Sequence, residues 1–391
     1  MKILIWNKNI VLKNTGGPSG YLYNINQYIK DVQLNDIHFY SDYLKPIIPK
    51  NYRPKGLISK IYTIIIRFWV NLIKSYSFSG LSQDEIELLN KFDYVHVHSI
   101  EDMRKYFLKR SVDLKVKVIL TSHCPEPYVD EITSQSYYNK FFQTFQFVRN
   151  YFIIKETEAF DAADLIMFPV EQAKEAYTNR SALYEKCFKN NLSKFIYVPT
   201  AIVDNQSQKQ ENYKLNEIYK EKLKVCFVGR HSEIKGYDKL IQIADNVWGK
   251  SNEVAFIVGG QILKNSYPKN EKWLELGWVK TSDLLKEIDL FILPNKQTYF
   301  DLILLEVLRQ GVPVLISATG GNKWFENKSH GIFLYEYDNI VDASDKIIKC
   351  LEYKRVGLLP ILGKENRALY ENELIISRYV EAYLAQLKNI Q

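Results

Sequence analysis

Three short stretches and one histidine concentrate the residues that could do chemistry. In "FDLILLEVLRQGVPVLIS", residues 300 to 317, every residue from Leu302 to Leu308 is apolar except Glu306. A buried, unpaired carboxylate costs several kcal/mol. Glu306 therefore has a cationic protein partner or faces a ligand, and a carboxylate that accepts two hydrogen bonds suits a ribose diol. Just before it, Tyr299, Phe300 and Asp301 lead from a strand into the helix, whose first amides can bind an anion. In "VCFVGRHSEIKGYDKLIQIA", residues 225 to 244, Arg230 and Lys235 lie in a loop between a strand and a helix. Such a pair can converge on a diphosphate or stand as two solvated surface cations. In "LKNTGGPSGYLYNI", residues 12 to 25, Gly16, Gly17 and Gly20 separate the first strand from a helix. Glycines there permit close backbone approach to an anion at the helix N-terminus, or simply a tight turn. The pattern is neither GxGxxG nor a P-loop. His123, in "VILTSHCPEP", stands at a strand end, where it can serve a reaction or cap a turn.

The elements that would hold these residues alternate. Strands are expected at Ile3–Trp6, Ile37–Tyr40, Tyr94–Val97, Val116–Leu120, Leu165–Phe168 and Ile196–Val198. The series resumes at Val225–Val228, Val254–Val258, Leu290–Leu293, Val314–Ile316 and Ile332–Leu334. Helical patterns such as Tyr21–Val32, Asp238–Val247 and Asp342–Glu352 fill the gaps. Strand–helix alternation on this scale predicts an α/β protein with parallel sheets covered on both faces. In open parallel sheets, ligands bind at the carboxyl ends of strands, which is where all four candidates fall. The polar segment Asp204–Lys222 interrupts the rhythm and reads as an exposed connection between two domains.

Composition sets the outer bounds. At 391 residues, with 46% hydrophobic and 25% charged, the chain has enough material for two cores. No apolar run reaches the roughly 20 residues of a membrane span, and "MKILIWNKNIV" reads as a first strand and not as a secretory signal. Cys124, Cys187, Cys226 and Cys350 are scattered, without CxxC spacing. They predict a reducing, cytoplasmic compartment and neither a zinc site nor a disulfide frame. A net charge of +7 suits a phosphate-bearing ligand or an anionic membrane surface, and is too diffuse for nucleic acid.

Taken in order, strand–"GR"–loop–"KG", "FDLILLEVLRQGVPVLIS" and "TGGNKWF" resemble the nucleotide-sugar site of retaining GT-B glycosyltransferases, closest to the large group called GT4 (glycosyl transferases group 1). The likeness extends to the N-terminal glycine loop. It implies two facing Rossmann-like domains with parallel sheets and an interdomain cleft. Residues 1–204 would form the acceptor-side domain and 205–371 the nucleotide-sugar domain, with a last helix in 372–391 packing back on the first. It implies a metal-independent hexosyltransferase with a nucleotide-sugar donor, UDP-sugar in preference to GDP-sugar, and no cofactor. Arg230 and Lys235 match the basic pair on the diphosphate, and Glu306 the ribose acid, the second of the E-x7-E motif. Gly16 and Gly17 match the loop that approaches the phosphate and donor sugar, Thr298, Phe300, Asp301 and Leu302 line the donor, and His123 matches a histidine near the reacting sugar. Arg230, Lys235 and His123 are the catalytic set so implied, with no metal ligand.

The chain departs from that pattern at two positions. Thr298 stands where the first acid of the motif belongs, and Asp301 where a glycine follows Phe. Asp301 is the candidate for a displaced carboxylate on the sugar. The usual interdomain "NGVD" appears here as "PTAIVD", residues 199 to 204. The implied mechanism is front-face transfer with retention, the departing phosphate taking the acceptor's proton while cations and helix amides stabilise it. The acceptor would be a hydroxyl of a glycan, lipid-linked oligosaccharide or glycoprotein, in polysaccharide or glycoconjugate biosynthesis. Two aromatic-basic stretches, residues 57 to 78 and 137 to 155, read as core helices with snorkelling cations or as helices on the inner face of the cell membrane. Two other functions fit the same residues: a non-catalytic sugar-nucleotide-binding partner of another transferase, and a GT-B-fold sugar-nucleotide epimerase.

Overall fold

The structure, a computed structural model, describes residues 1–13, 17–47, 78–110, 114–124, 126–130, 146–203, 211–261 and 267–390. Gly16, nearly all of the stretch 57–78, residues 137–145 of the second aromatic-basic stretch and residues 204–210 of the polar connection lie outside them.

By internal contacts the chain divides into two units. One is made of residues 1–168 and 177–198, the other of 169–176 and 199–391. The first carries β1 (Ile3–Trp6), β2 (Ile37–Phe39), β3 (Tyr94–Val97), β4 (Lys117–Leu120), β5 (Leu165–Phe168) and β6 (Phe195–Tyr197). All pair in parallel, in the order β2-β1-β3-β4-β5-β6. Every residue of β1, β3 and β5 is buried. That is the reason these strands are near-continuous apolar runs, as sheets covered on both faces require. The order reverses between β1 and β3. This switch point opens a crevice at the strands' carboxyl ends, and the helix Gly17–Asp31 starts there, after the glycine loop.

The second unit repeats the design with β7 (Leu223–Val228), β8 (Val254–Gly259), β9 (Trp273–Gly277), β10 (Leu290–Leu293), β11 (Val314–Ser317) and β12 (Ile332–Tyr335). The order is β12-β11-β10-β7-β8-β9, again all parallel, so the switch point falls between β7 and β10. The loops after these two strands are the ones that carry Arg230, Lys235 and Asp301. Its core runs from Leu223, Phe227 and Phe256 in the sheet to Leu240, Ile243 and Val247 on the helix Tyr237–Lys250, and to Ile347 and Leu351 on the helix Ile340–Arg355.

β9 has no counterpart among the expected strands. It is the edge of its sheet, and only Trp273 of "WLELG" is fully buried, so it lacks the apolar run that marks the others. The polar connection is mostly exposed in its described part, as expected, and two of its residues anchor it. Leu215 and Tyr219 are buried, and the backbone amides of Tyr213 and Leu215 donate to Glu287 at 2.7 and 2.8 Å. Its few apolar residues are the ones that anchor it. The last helix, Ile376–Lys388, counts with the second unit. Among the described residues no helix is long and apolar enough to cross a membrane.

Candidate active site

In the second unit the loops after β7 and β10 are locked together. Gly236 has φ +67, and a Cβ there would lie 1.5 Å from the carbonyl oxygen of Pro294. Only glycine fits such an approach. The Lys296 amide donates to the Ile234 carbonyl at 3.1 Å. This contact sets Lys235 beside Asp301: its ammonium donates to both carboxylate oxygens at 2.8 Å. Asn295 also donates to Asp301. Asn295 is fully buried, and its backbone carbonyl accepts from Ser317 Oγ at 2.7 Å and Thr319 Oγ1 at 3.0 Å. Asp301 precedes the helix Leu302–Gln310 at the capping position, yet its side chain makes no capping bond. The carboxylate is turned to Lys235, so the helix's opening turn has no side-chain cap.

Glu306 lies within that helix. Leu304, Leu305, Val307 and Leu308 are buried, whereas Leu302, Ile303, Glu306 and Gln310 are only partly covered. Positions 303, 306 and 310 follow helical spacing, so the carboxylate stands on the helix's one less-covered face. It makes no hydrogen bond or ion pair with any described residue. Burial pushes its carboxyl above the ordinary range, partly offset by the charge of Arg309. Arg309 itself donates to the Val203 carbonyl at 3.0 Å. The lone carboxylate of the apolar run is thus not half of an internal ion pair among the described residues.

Arg230 is exposed and has no partner among the described residues. The residue beside it is fixed. His231 is buried and stacks on Tyr237 with ring centroids 4.1 Å apart and planes at 6°; its Nε2 lies 3.1 Å from Glu275 Oε1 without forming a hydrogen bond. Trp273 Nε1 donates to Glu275 Oε2 at 3.1 Å. Burial holds the imidazole down and pushes the Glu275 carboxyl up, so both resist charging. Sequence reasoning missed this anchor; its signal was "RH" next to the basic loop, together with the acid of the unread strand β9.

Thr298 is fully buried, and its hydroxyl has no partner among the described residues. Asn295 Oδ1, Gln297 Nε2 and Asn322 Oδ1, nearby in the same loops, are likewise buried and unpaired among the described residues. Phe300 packs in an aromatic group, with ring centroids 5.8 Å from Trp324 and 5.3 Å from Phe325. Leu302 is partly covered at the helix start. The structure therefore brings Lys235, Asp301, Asn295 and the start of the Glu306 helix together at one switch point, with Thr298 below the surface.

In the first unit, Gly17 opens its helix with φ +73 and is exposed. His123 follows β4 in a left-handed backbone conformation, φ 58. Such strain in a non-glycine residue collects at functional sites. His123 Nε2 lies 2.8 Å from His98 Nδ1, and its ring centroid is 4.7 Å from that of Tyr21 on the glycine-loop helix. His96, on β3, has its ring centroid 4.0 Å from that of His98, with the planes tilted by 35°. Burial lowers all three imidazoles, His123 to about 3, so all are neutral at physiological pH. His96 and His98 were missed; "YVHVHS" at a strand end was their signal. Among the described residues no group of three or more His, Cys, Asp or Glu could hold a metal ion.

Comparison with known proteins places this arrangement. Residues 222–353 match the family model described as "Glycosyl transferases group 1". An uncharacterized 41.2 kDa protein in the cps region of Klebsiella pneumoniae is 28% identical over 240 residues, 58% of this chain and 60% of that protein. The chain thus matches about three fifths of that relative's length. HepE of Anabaena, solved with UDP, superposes with a TM-score of 0.64 at 13% identity over 100% of both chains; its complex with UDP-glucose gives 0.61. Sucrose-phosphate synthase from Thermosynechococcus elongatus gives 0.61 at 12% identity, again over 100% of both chains. At these identities the likeness is one of fold, and the fold is GT-B.

Proposed function

The chain carries a group 1 glycosyltransferase segment, residues 222–353, and on that premise we propose that it moves a sugar from a uridine nucleotide-sugar to a hydroxyl of a glycan or glycoconjugate, with retention of configuration. The observation that carries the reading is Glu306, a carboxylate without a described partner on the open face of a buried helix, one turn and a half beyond the Lys235–Asp301 pair. In this reading Glu306 accepts the ribose hydroxyls. Arg230 and Lys235 hold the diphosphate, Lys235 exchanging part of its contact with Asp301 for phosphate oxygens. The amides opening the helix Leu302–Gln310 add a partial positive charge, with Phe300 and Leu302 bordering them. Asp301, released in part from Lys235, takes the sugar hydroxyls that Thr298 cannot reach from its buried position. For Gly16 and Gly17 the family resemblance implies a donor role, and for His123 a role at the reacting sugar. As the glycosidic bond breaks, negative charge grows on the leaving phosphate. Preoriented cations and amides stabilise that charge, and the phosphate itself accepts the acceptor's proton. No metal is needed in this scheme, so activity should persist in EDTA.

HepE supports the choice of UDP, since it was solved with UDP and with UDP-glucose. The cps-region relative supports polysaccharide assembly as the setting. A place at a membrane surface is supported by Phe147, Tyr151 and Ile154, exposed at 71%, 53% and 45% and spaced along one face of the helix Gln146–Ala162. A thermal-shift panel of nucleotides and nucleotide-sugars tests the donor: a ligand at 100 times its Kd adds about 2.7 kcal/mol. UDP-sugars should raise Tm and adenine nucleotides should not; the reverse would overturn the assignment. Thr298 favours one second reading, a nucleotide-sugar binder without turnover. Binding of a UDP-sugar with no product in any acceptor mixture would select it.

A further inference from the structure

The histidines of the first unit carry a defined order of protons. Thr121 Oγ1 donates to the Met167 carbonyl at 3.2 Å, so it accepts from His96 Nε2 at 2.8 Å, and His96 carries its proton on Nε2. His98 Nδ1 and His123 Nε2 are 2.8 Å apart, with ring planes 22° apart and centroids at 5.1 Å. That is the geometry of an edge-to-edge N–H···N bond between nearly coplanar rings, and one of the two nitrogens must donate. His98 is 1% exposed, and its other nitrogen, Nε2, is buried with no partner among the described residues. A proton on His98 Nε2 would leave a buried N–H unsatisfied, which is rare and costly. A proton on Nδ1 leaves only a ring lone pair without a partner and satisfies the 2.8 Å bond. His98 therefore donates to His123 Nε2.

We infer that His98 is a positioning residue that holds His123 in the Nδ1–H tautomer, so that His123 is neutral and cannot act as a base through Nε2. The inference rests on the proposed role of His123 at the reacting sugar. It deepens that role by giving its chemistry. An Nε2 already engaged by His98 agrees with a reaction in which the leaving phosphate, not a side chain, takes the acceptor's proton. The left-handed backbone at His123 and the Tyr21 ring against it hold the imidazole where His98 can reach it.

Imidazole-nitrogen-labelled protein gives the test, with His123 assigned by the signal lost in His123→Asn. At pH 7 the parent should show His123 Nδ1 protonated and Nε2 bare. His98→Asn, whose amide can still donate from near the position of Nδ1, should keep that pattern, and His98→Leu should lose it. His98→Leu should also lower kcat, by about tenfold as for other lost tautomer-fixing partners, with little change in donor KM, and His98→Asn should restore it. A parent His123 protonated on Nε2, or on both nitrogens, overturns the inference, as does an unchanged Nδ1–H form in His98→Leu. The parent spectrum decides even where a variant does not fold. If the spectra agree but no transfer occurs, the proposed function fails and the tautomer assignment stands.

Discussion

Replacing Glu306 by Gln should move stability and donor affinity in opposite directions. The folded carboxyl titrates above its ordinary 4.5 because burial penalises the charged form. Below the unfolded value both states are protonated and the residue costs nothing. As pH rises through the raised folded value, the unfolded state ionises more readily and stability is lost. Above that window Glu306 is therefore a net cost to the empty protein, with only the charge of Arg309 offsetting it. Gln keeps the shape and removes the charge, so Glu306→Gln should melt at or above the parent's Tm at pH 7, the gap closing as pH falls below about 4.5. Donor binding should suffer. A hydrogen bond to a charged group contributes about 1.5–3 kcal/mol, and Gln retains one acceptor of two. Loss of one such bond weakens UDP binding about 10- to 100-fold, at roughly 1.4 kcal/mol per factor of ten. Calorimetric titration with UDP and thermal melts at pH 4 and 7 read both effects. A variant that melts lower yet binds UDP as tightly would show that Glu306 is a structural partner and refute the reasoning.

Asp301→Asn should leave UDP affinity unchanged or higher, because Lys235 loses a competing carboxylate, while the extra affinity contributed by the donor sugar disappears; equal losses for UDP and UDP-sugar would contradict this. Gly236→Ala should destabilise the second unit by at least about 2–3 kcal/mol, since its Cβ would sit 1.5 Å from the Pro294 carbonyl; an unchanged denaturation midpoint would show that the two loops can part. The first unit should be acid-labile. His96, His98 and His123 are all held below 6.5, so their contribution is complete above pH 6.5 and is lost as pH falls below it, by at most about 1.4 kcal/mol per pH unit for each. Hydrogen exchange in β3 and β4 at pH 5 and 7 checks it, and equal protection would count against the neutral cluster.

Much of the frame was legible because a buried parallel strand leaves a strong signature. Eleven strands could be read from apolar runs, and each recurs within a residue or two of its expected place. The twelfth, "WLELG", is a half-covered edge strand, and its one acid, Glu275, lies beside a histidine that sequence cannot connect to it. The lone carboxylate at Glu306 was legible as a question, since residue type shows that a charge is out of place. What answers it is three-dimensional: which side of the helix its neighbours leave open. The pairing of Lys235 with Asp301 was not legible, because 66 residues separate them and only the crossing of the two switch-point loops brings them together. His123 could be picked out by its place at a strand end, whereas its coupling to His98 depends on the register of β3 against β4.

The central claim is retaining transfer from a uridine nucleotide-sugar, and the anomer first formed from UDP-glucose tests it most directly. Proton NMR would follow the purified chain with an α-linked UDP-sugar and either water or an added glycan as acceptor, in the presence of EDTA. The account predicts that the first product carries the α configuration and that its rate falls in Glu306→Gln. A β product appearing first, or a donor that binds and is never consumed, would contradict it.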